Sequence, residues 1–302
     1  MNMDDLKSEI ISLKKEKNAL ILAHNYQIEE IQIIADILGD SLGLARQAAD
    51  IKRSLIVFCG VRFMAEAAKI ISPEKTVLLP RQDAVCDMAK MIDIKSLRKL
   101  KNAYPDACVV TYVNSPSEVK AESDICCTSA NAVEIVKNIN SDTIIFTPDK
   151  NLGSYVQRFV DKDIILWDGY CYVHQKITKD QVSQIKNQHP SAVVMVHPEC
   201  NPEVIDLADE VQSTGGMLKV VKESSDMEFI IGTEEGMVNR LRREFPEKSF
   251  YSITKPRLCY GMKNITLKDL YNSLQYGKYE VALSQEIISK ARKSLDRMLS
   301  YV

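Results

Sequence analysis

The chain has 302 residues, 45% apolar and 26% charged, with a formal net charge of −2. That balance is ordinary for a globular protein and gives no electrostatic reason to expect nucleic acid or an anionic membrane as partner. No apolar run approaches the roughly 18–20 residues that span a bilayer. Residues 1–17 are amphipathic and charged rather than signal-like, so a cytoplasmic protein is expected.

In chain order, a charged helix over 4–17 precedes an apolar strand at 20–23 that runs out into His24-Asn25-Tyr26. A helix over 28–38 is expected next, stopped by Gly39, after which Asp40-Ser41 caps a helix over 42–49. A strand at 55–58, Gly60, a helix over 63–71 and a strand at 76–79 lead to a loop carrying Cys86. The plan then restarts with a helix over 94–103 and a strand at 108–112 ending in Tyr112-Val113-Asn114. One or two helical turns precede Asp124, and Ser129-Ala130-Asn131 caps a helix to about 138. A strand at 143–146, Asp149-Lys150-Asn151, a helix to 159 and a strand at 163–166 lead to Cys171. The third pass has a helix over 179–188, a strand at 192–196 and His197-Pro198-Glu199-Cys200. Ser213-Thr214-Gly215-Gly216 then opens a helix, and a strand at 228–231 and a helix over 235–245 lead to Cys259. Helices near 267–274 and 284–299 close the chain.

The landmarks keep step. Tyr112 lies 88 residues after His24, and His197 lies 85 after Tyr112. Asp36, Asp124 and Asp209 are separated by 88 and 85, and Cys86, Cys171 and Cys259 by 85 and 88. This period exceeds that of solenoid repeats, so each copy is domain-sized. We divide the chain at 1–91, 92–177 and 178–302, the last carrying the C-terminal helices. Strands alternating with helices predict parallel sheets covered on both faces. The expected fold is α/β: three homologous αβα sandwich domains about a pseudo-threefold axis, which would gather three strand-end polar clusters and three thiols.

In such sheets ligands bind at the carboxyl ends of strands. Each repeat places polar residues there: His24 and Tyr26, Tyr112 and Asn114, His197 and Glu199. Each also places a hydroxyl at a helix start, Ser41, Ser129 and Thr214, where unpaired N–H groups suit carboxylates and phosphates. Glu199 is the candidate general acid/base, with burial expected to raise its pKa. Tyr26 and Tyr112 are candidates to donate or relay protons. Arg62 and Asp149-Lys150-Asn151 are placed at the rim. His174 and His189 have no repeat counterpart and are left out of the site. There is no CxxC pair, so any metal site must be assembled from distant segments. Three thiolates without a fourth suit an iron–sulfur cluster with one open iron, a Lewis acid; zinc completed by another ligand or water is the other reading. Cys59, Cys108, Cys126 and Cys127 read as core packing, and Cys200, which adjoins the proposed pocket, is not counted as a ligand.

These segments together resemble the quinolinate synthase family. His24-Asn25-Tyr26, Gly39-Asp40-Ser41, Tyr112-Val113-Asn114, Thr128-Ser129-Ala130-Asn131, His197-Pro198-Glu199-Cys200, Ser213-Thr214-Gly215 and the three cysteines look like its signatures, in order, from about residue 20 to residue 275. The resemblance implies one [4Fe–4S] cluster per chain, held by Cys86, Cys171 and Cys259 with the fourth iron open. It implies condensation of iminoaspartate with dihydroxyacetone phosphate to quinolinate, phosphate and two waters in NAD biosynthesis. An aspartate oxidase or an aspartate dehydrogenase would supply the imine. By similarity, His24, Ser41, Tyr112, Asn114, Ser129, His197, Glu199 and Thr214 bind substrate; Glu199, Tyr26, His24 and Tyr112 are the catalytic candidates. Another [4Fe–4S] hydro-lyase acting on a small dicarboxylate is the alternative. A non-enzymatic iron–sulfur sensor or carrier lacks the basic element or fourth cysteine it would need.

Overall fold

A computed structural model describes residues 3–50, 52–253 and 255–301; the first two residues of the N-terminal amphipathic stretch lie outside them. The alternation read from the sequence builds three four-stranded sheets, all parallel. The first contains β1 (Ala19–His24), β2 (Ile37–Gly39), β3 (Leu55–Cys59) and β4 (Thr76–Leu78). The second contains β5 (Cys108–Tyr112), β6 (Ile125–Cys127), β7 (Thr143–Thr147) and β8 (Asp163–Leu166). The third contains β9 (Val193–Val196), β10 (Glu210–Val211), β11 (Glu228–Gly232) and β12 (Ser249–Ser252). Their orders, β2-β1-β3-β4, β6-β5-β7-β8 and β10-β9-β11-β12, are one topology used three times. The first strand of each sheet is a nearly continuous apolar run because helices cover both faces.

The edge strands β2, β6 and β10 depart from the sequence reading. The helix expected over 28–38 ends at Ile34, and Ile37–Gly39 pairs beside β1 instead. Strands of two or three residues show no periodicity, and β12 was likewise not foreseen. What starts each edge is the repeated aspartate. Asp36, Asp124 and Asp209 each accept the backbone N–H of the central strand fifteen residues back, from Ile21, Val109 and Val194, at 2.8–2.9 Å. Each also donates its own N–H to the carbonyl of that same residue. These aspartates tie each edge to its sheet, away from the cavity.

The C-terminal helices bind units together. Leu267–Tyr276 packs on the N-terminal helix Met3–Glu16 and on β3, and Gln285–Leu299 packs on helices Arg62–Ile71 and Ser117–Ala121 and on β6. Arg292 donates to the Ile71 carbonyl at 2.5 Å and Ser294 to that of Lys120 at 2.8 Å, so this last helix spans the first and second sheets' layers. No described helix is long and apolar enough to cross a membrane.

Candidate active site

All twelve residues nominated by the sequence line one cavity of about 60 Å³: His24, Tyr26, Ser41, Cys86, Tyr112, Asn114, Ser129, Cys171, His197, Glu199, Thr214 and Cys259. The other five cysteines do not line it. Cys200 is fully buried, its Sγ 3.6 Å from the Gly232 carbonyl, inside the apolar layer around Val194 and Ile230, so it is packing.

The three thiols share a local device. Each cysteine precedes a single helical turn, Met88–Met91, Tyr172–Gln175 or Tyr260–Lys263. In each, the backbone N–H three residues on, from Ala89, His174 or Met262, acts to lower the thiol's pKa. These donors favour thiolates, whereas burial pushes all three pKa values up, Cys259 to about 11. The thiols also lie near enough to disfavour one another's ionisation: Cys259 acts on Cys86, and both act on Cys171. A cationic group among them would relieve that repulsion. Three inward thiols without a fourth in the lining fit an iron–sulfur cluster bound at three corners.

Contacts between the loops set this convergence. The Trp167 indole donates to the Met91 carbonyl at 2.8 Å, joining the loops of Cys171 and Cys86. The Tyr172 hydroxyl donates to the Leu258 carbonyl at 3.2 Å and accepts the Tyr260 N–H at 2.7 Å, joining those of Cys171 and Cys259. Gly261 closes the set: a Cβ there would drive into the Val85 carbonyl oxygen, beside Cys86. Gly261→Ala is therefore expected to destabilise the chain by about 1–3 kcal/mol through forced backbone movement and to lower bound iron. Urea unfolding and metal analysis check it; an unchanged midpoint would contradict the close approach.

His24 and His197 sit at corresponding strand ends and are held alike. Nδ1 of each accepts the backbone N–H two residues on, from Tyr26 at 3.1 Å and Glu199 at 3.3 Å. Each neutral ring then carries its proton on Nε2. Burial lowers both pKa values to about 3, so both imidazoles are neutral donors at neutral pH. Thr214 Oγ1 accepts from Asn25 Nδ2 at 2.8 Å, between the first and third repeats. Asn114 Oδ1 is buried without a partner among the described residues, an amide end left for a ligand. Ser41 and Thr214 are the first residues of their helices, capped by Asp40 and Ser213, whereas Ser129 lies in the turn before the helix Ala132–Asn138.

Glu199 corrects one expectation. Burial does oppose its charge, but His197, His174 and the Tyr112 hydroxyl outweigh burial and lower the carboxyl below the usual carboxylate value. It is ionised in the resting site. Burial, then the Glu199 charge, raises Tyr26 and Tyr112 well above the usual phenol range, so both hydroxyls stay protonated.

His174, set aside for want of a repeat counterpart, belongs to the site. It is fully buried, with Nδ1 2.7 Å from Glu199 Oε2 in a bent contact and Nε2 2.8 Å from Thr233 Oγ1. Thr233 Oγ1 lies 2.6 Å from the Tyr26 hydroxyl. Tyr26, Thr233 and His174 thus form a hydrogen-bonded chain that ends beside the Glu199 carboxylate. Its sequence signal is the position of His174, three residues after Cys171. Cys171, His174 and Glu199 also place ligand atoms within 4.8 Å of one another, so they could share a metal ion. The rim readings change as well. Arg62 is exposed and donates to the Gln82 carbonyl, Lys150 pairs with Asp168, and Asp149 is a buried helix cap. Asn151 donates to the Glu199 carbonyl at 3.1 Å and so fixes the backbone of that residue. His189 stacks on Tyr251, with ring centroids 3.5 Å apart.

Comparison with known proteins agrees along the whole chain. The family described as quinolinate synthetase A protein matches residues 8–300. Quinolinate synthase 2 of Methanosarcina acetivorans is 51% identical over 295 residues, covering 98% of this chain and 95% of the relative. Quinolinate synthase of Caldicellulosiruptor bescii is 51% identical over 300 residues, 99% of each. That of Pyrococcus horikoshii is 52% identical over 297 residues, 98% of each. With a family match over residues 8–300 and full-length relatives at this identity, the chain belongs to the quinolinate synthase family of enzymes.

Proposed function

We propose that this chain condenses iminoaspartate with dihydroxyacetone phosphate, yielding quinolinate, phosphate and two waters, with an aspartate oxidase or dehydrogenase supplying the imine. The observation that carries the reading is one cavity that brings together three thiols, two neutral imidazoles, the Glu199 carboxylate and the Ser41, Ser129 and Thr214 hydroxyls, in a chain of this family. Cys86, Cys171 and Cys259 would hold a [4Fe–4S] cluster. When bound, it supplies a Lewis acid for substrate oxygens.

The Nε2–H donors of His24 and His197 suit the substrate carboxylates, and the unpartnered Asn114 amide oxygen suits a substrate N–H or hydroxyl. The Ser41, Ser129 and Thr214 hydroxyls suit the phosphate. Carbon–carbon bond formation requires removal of a proton from the methylene beside the imine, and Glu199 is the base placed for it. Substrate carboxylates entering beside Glu199 raise its proton affinity, turning a weak resting base into a competent one. Each dehydration sends hydroxide out with a proton, which Tyr112 or the Tyr26 hydroxyl donates. Thr233 and His174 then connect Tyr26 back to Glu199 for the return of that proton.

The test is anaerobic incubation with dihydroxyacetone phosphate and imine formed from oxaloacetate and ammonia, followed by mass spectrometry. Quinolinate and phosphate in equal amounts support the reading. Hydration or dehydration of a dicarboxylate without quinolinate would favour a hydro-lyase. A single metal ion on Cys171, His174 and Glu199 is the second reading of the centre, and metal stoichiometry separates it from a cluster.

A further inference from the structure

Beside the inner cavity lies a larger one, about 570 Å³, and the two share Asp40, Leu42 and Ser129 in their linings. Three cations line the outer cavity: Arg46, Lys137 and Lys219. The helices Ser41–Asp50, Ala132–Asn138 and Thr214–Glu223 come from the three units, and each carries one of the cations. Arg46 and Lys219 stand at matching repeat positions, each five residues after Ser41 or Thr214, whereas Lys137 lies three residues past the matching position, which is Glu134.

Among the described residues, none of the three cations lies within ion-pair distance of a carboxylate. Arg46 donates to the Tyr301 carbonyl at 3.4 Å, and Lys137 lies 5.7 Å from the Phe159 ring centre. Asp40 is the one carboxylate in the lining, and it is engaged by the Gly43 N–H at 2.8 Å and the Ser213 hydroxyl at 3.3 Å. Tyr155 and Phe159 supply apolar wall. A recess lined by one sign of charge with low-dielectric walls concentrates ions of the other sign.

We propose that the outer cavity is the anion entrance to the inner one, drawing in substrates that carry carboxylates or a phosphate and taking up released phosphate. The identity of those anions rests on the proposed function; the entrance itself does not. Lys137 and Lys219 are exposed, so both can be changed without disturbing the core.

The test compares wild type, K137E/K219E and the neutral K137Q/K219Q in the full chain, reduced and freed of metal. Alkylation of Cys86, Cys171 and Cys259 by anionic iodoacetate and by neutral iodoacetamide is followed by peptide mass spectrometry. The iodoacetate-to-iodoacetamide rate ratio should fall about tenfold in the charge-reversed variant at low ionic strength and less in the neutral one, the difference shrinking within about twofold at 1 M salt. In loaded enzyme the same change should raise KM and leave kcat within about twofold. An unchanged ratio in either variant, with wild-type circular dichroism, overturns the entrance. A shifted ratio in a protein that forms no quinolinate supports the entrance and removes only the proposed substrates.

Discussion

Glu199→Gln is expected to lower turnover by roughly 10²–10⁴-fold, the usual contribution of a positioned acid/base group, while leaving the thiol-bound centre in place. The substitution keeps shape and removes the charge on which the surrounding groups converge. His174 lies 2.7 Å from this carboxylate, His197 3.7 Å, and the Tyr112 hydroxyl faces it. An amide cannot take a substrate proton, and it replaces the carboxylate beside which the chain from Tyr26 through Thr233 and His174 ends. Turnover and iron should both be measured, because they part company only if Glu199 is a base and not a ligand. Unchanged turnover would remove its catalytic role, and loss of metal together with turnover would favour the single-ion reading.

Glu234→Ala is expected to cost about 3–5 kcal/mol, the range for removing one partner of a buried ion pair. Glu234 is fully buried just after β11 and accepts from Lys263 at 3.1 Å, from the Cys259 N–H at 3.0 Å and from the Gly236 N–H at 2.6 Å. Burial lifts its pKa above the usual carboxylate value despite Lys263 and those two N–H donors. Lys263 also donates to the Tyr26 carbonyl at 2.6 Å. The substitution therefore strands an ammonium group and frees both the Cys259 loop and the end of β1. Urea unfolding should show the loss, with Glu234→Gln intermediate because it keeps an acceptor without the charge. A change below about 1 kcal/mol would mean that Lys263 finds other partners.

The fold and most of the site were legible because repetition leaves a strong trace. Landmarks 85 to 88 residues apart located the three units, the strand ends and the three thiols. The twelve nominated residues line one cavity for the same reason, since equivalent positions in equivalent folds point the same way. The same logic obscured whatever occurs once. His174, Thr233 and Glu234 have no counterparts, yet they connect Tyr26, Glu199 and Cys259. Thr233 and Glu234 directly follow Gly232 at a strand end, a placement that could have flagged them. Repetition alone does not tell a structural landmark from a site residue: Asp36, Asp124 and Asp209 recur because each binds the backbone of a central strand. Electrostatics was least legible. The pKa of Glu199 depends on two imidazoles and a phenol brought from two units, and composition carries no information about such a balance.

The most direct test of the account is iron and acid-labile sulfide in the full chain purified strictly without oxygen, with the absorbance near 400 nm, for wild type and Cys171→Ser. Convergence of Cys86, Cys171 and Cys259 on one centre predicts about four irons with matching sulfide per chain, the stoichiometry of a [4Fe–4S] cluster, and their loss in the variant. A colourless wild-type protein, or one metal ion per chain without sulfide, would contradict it.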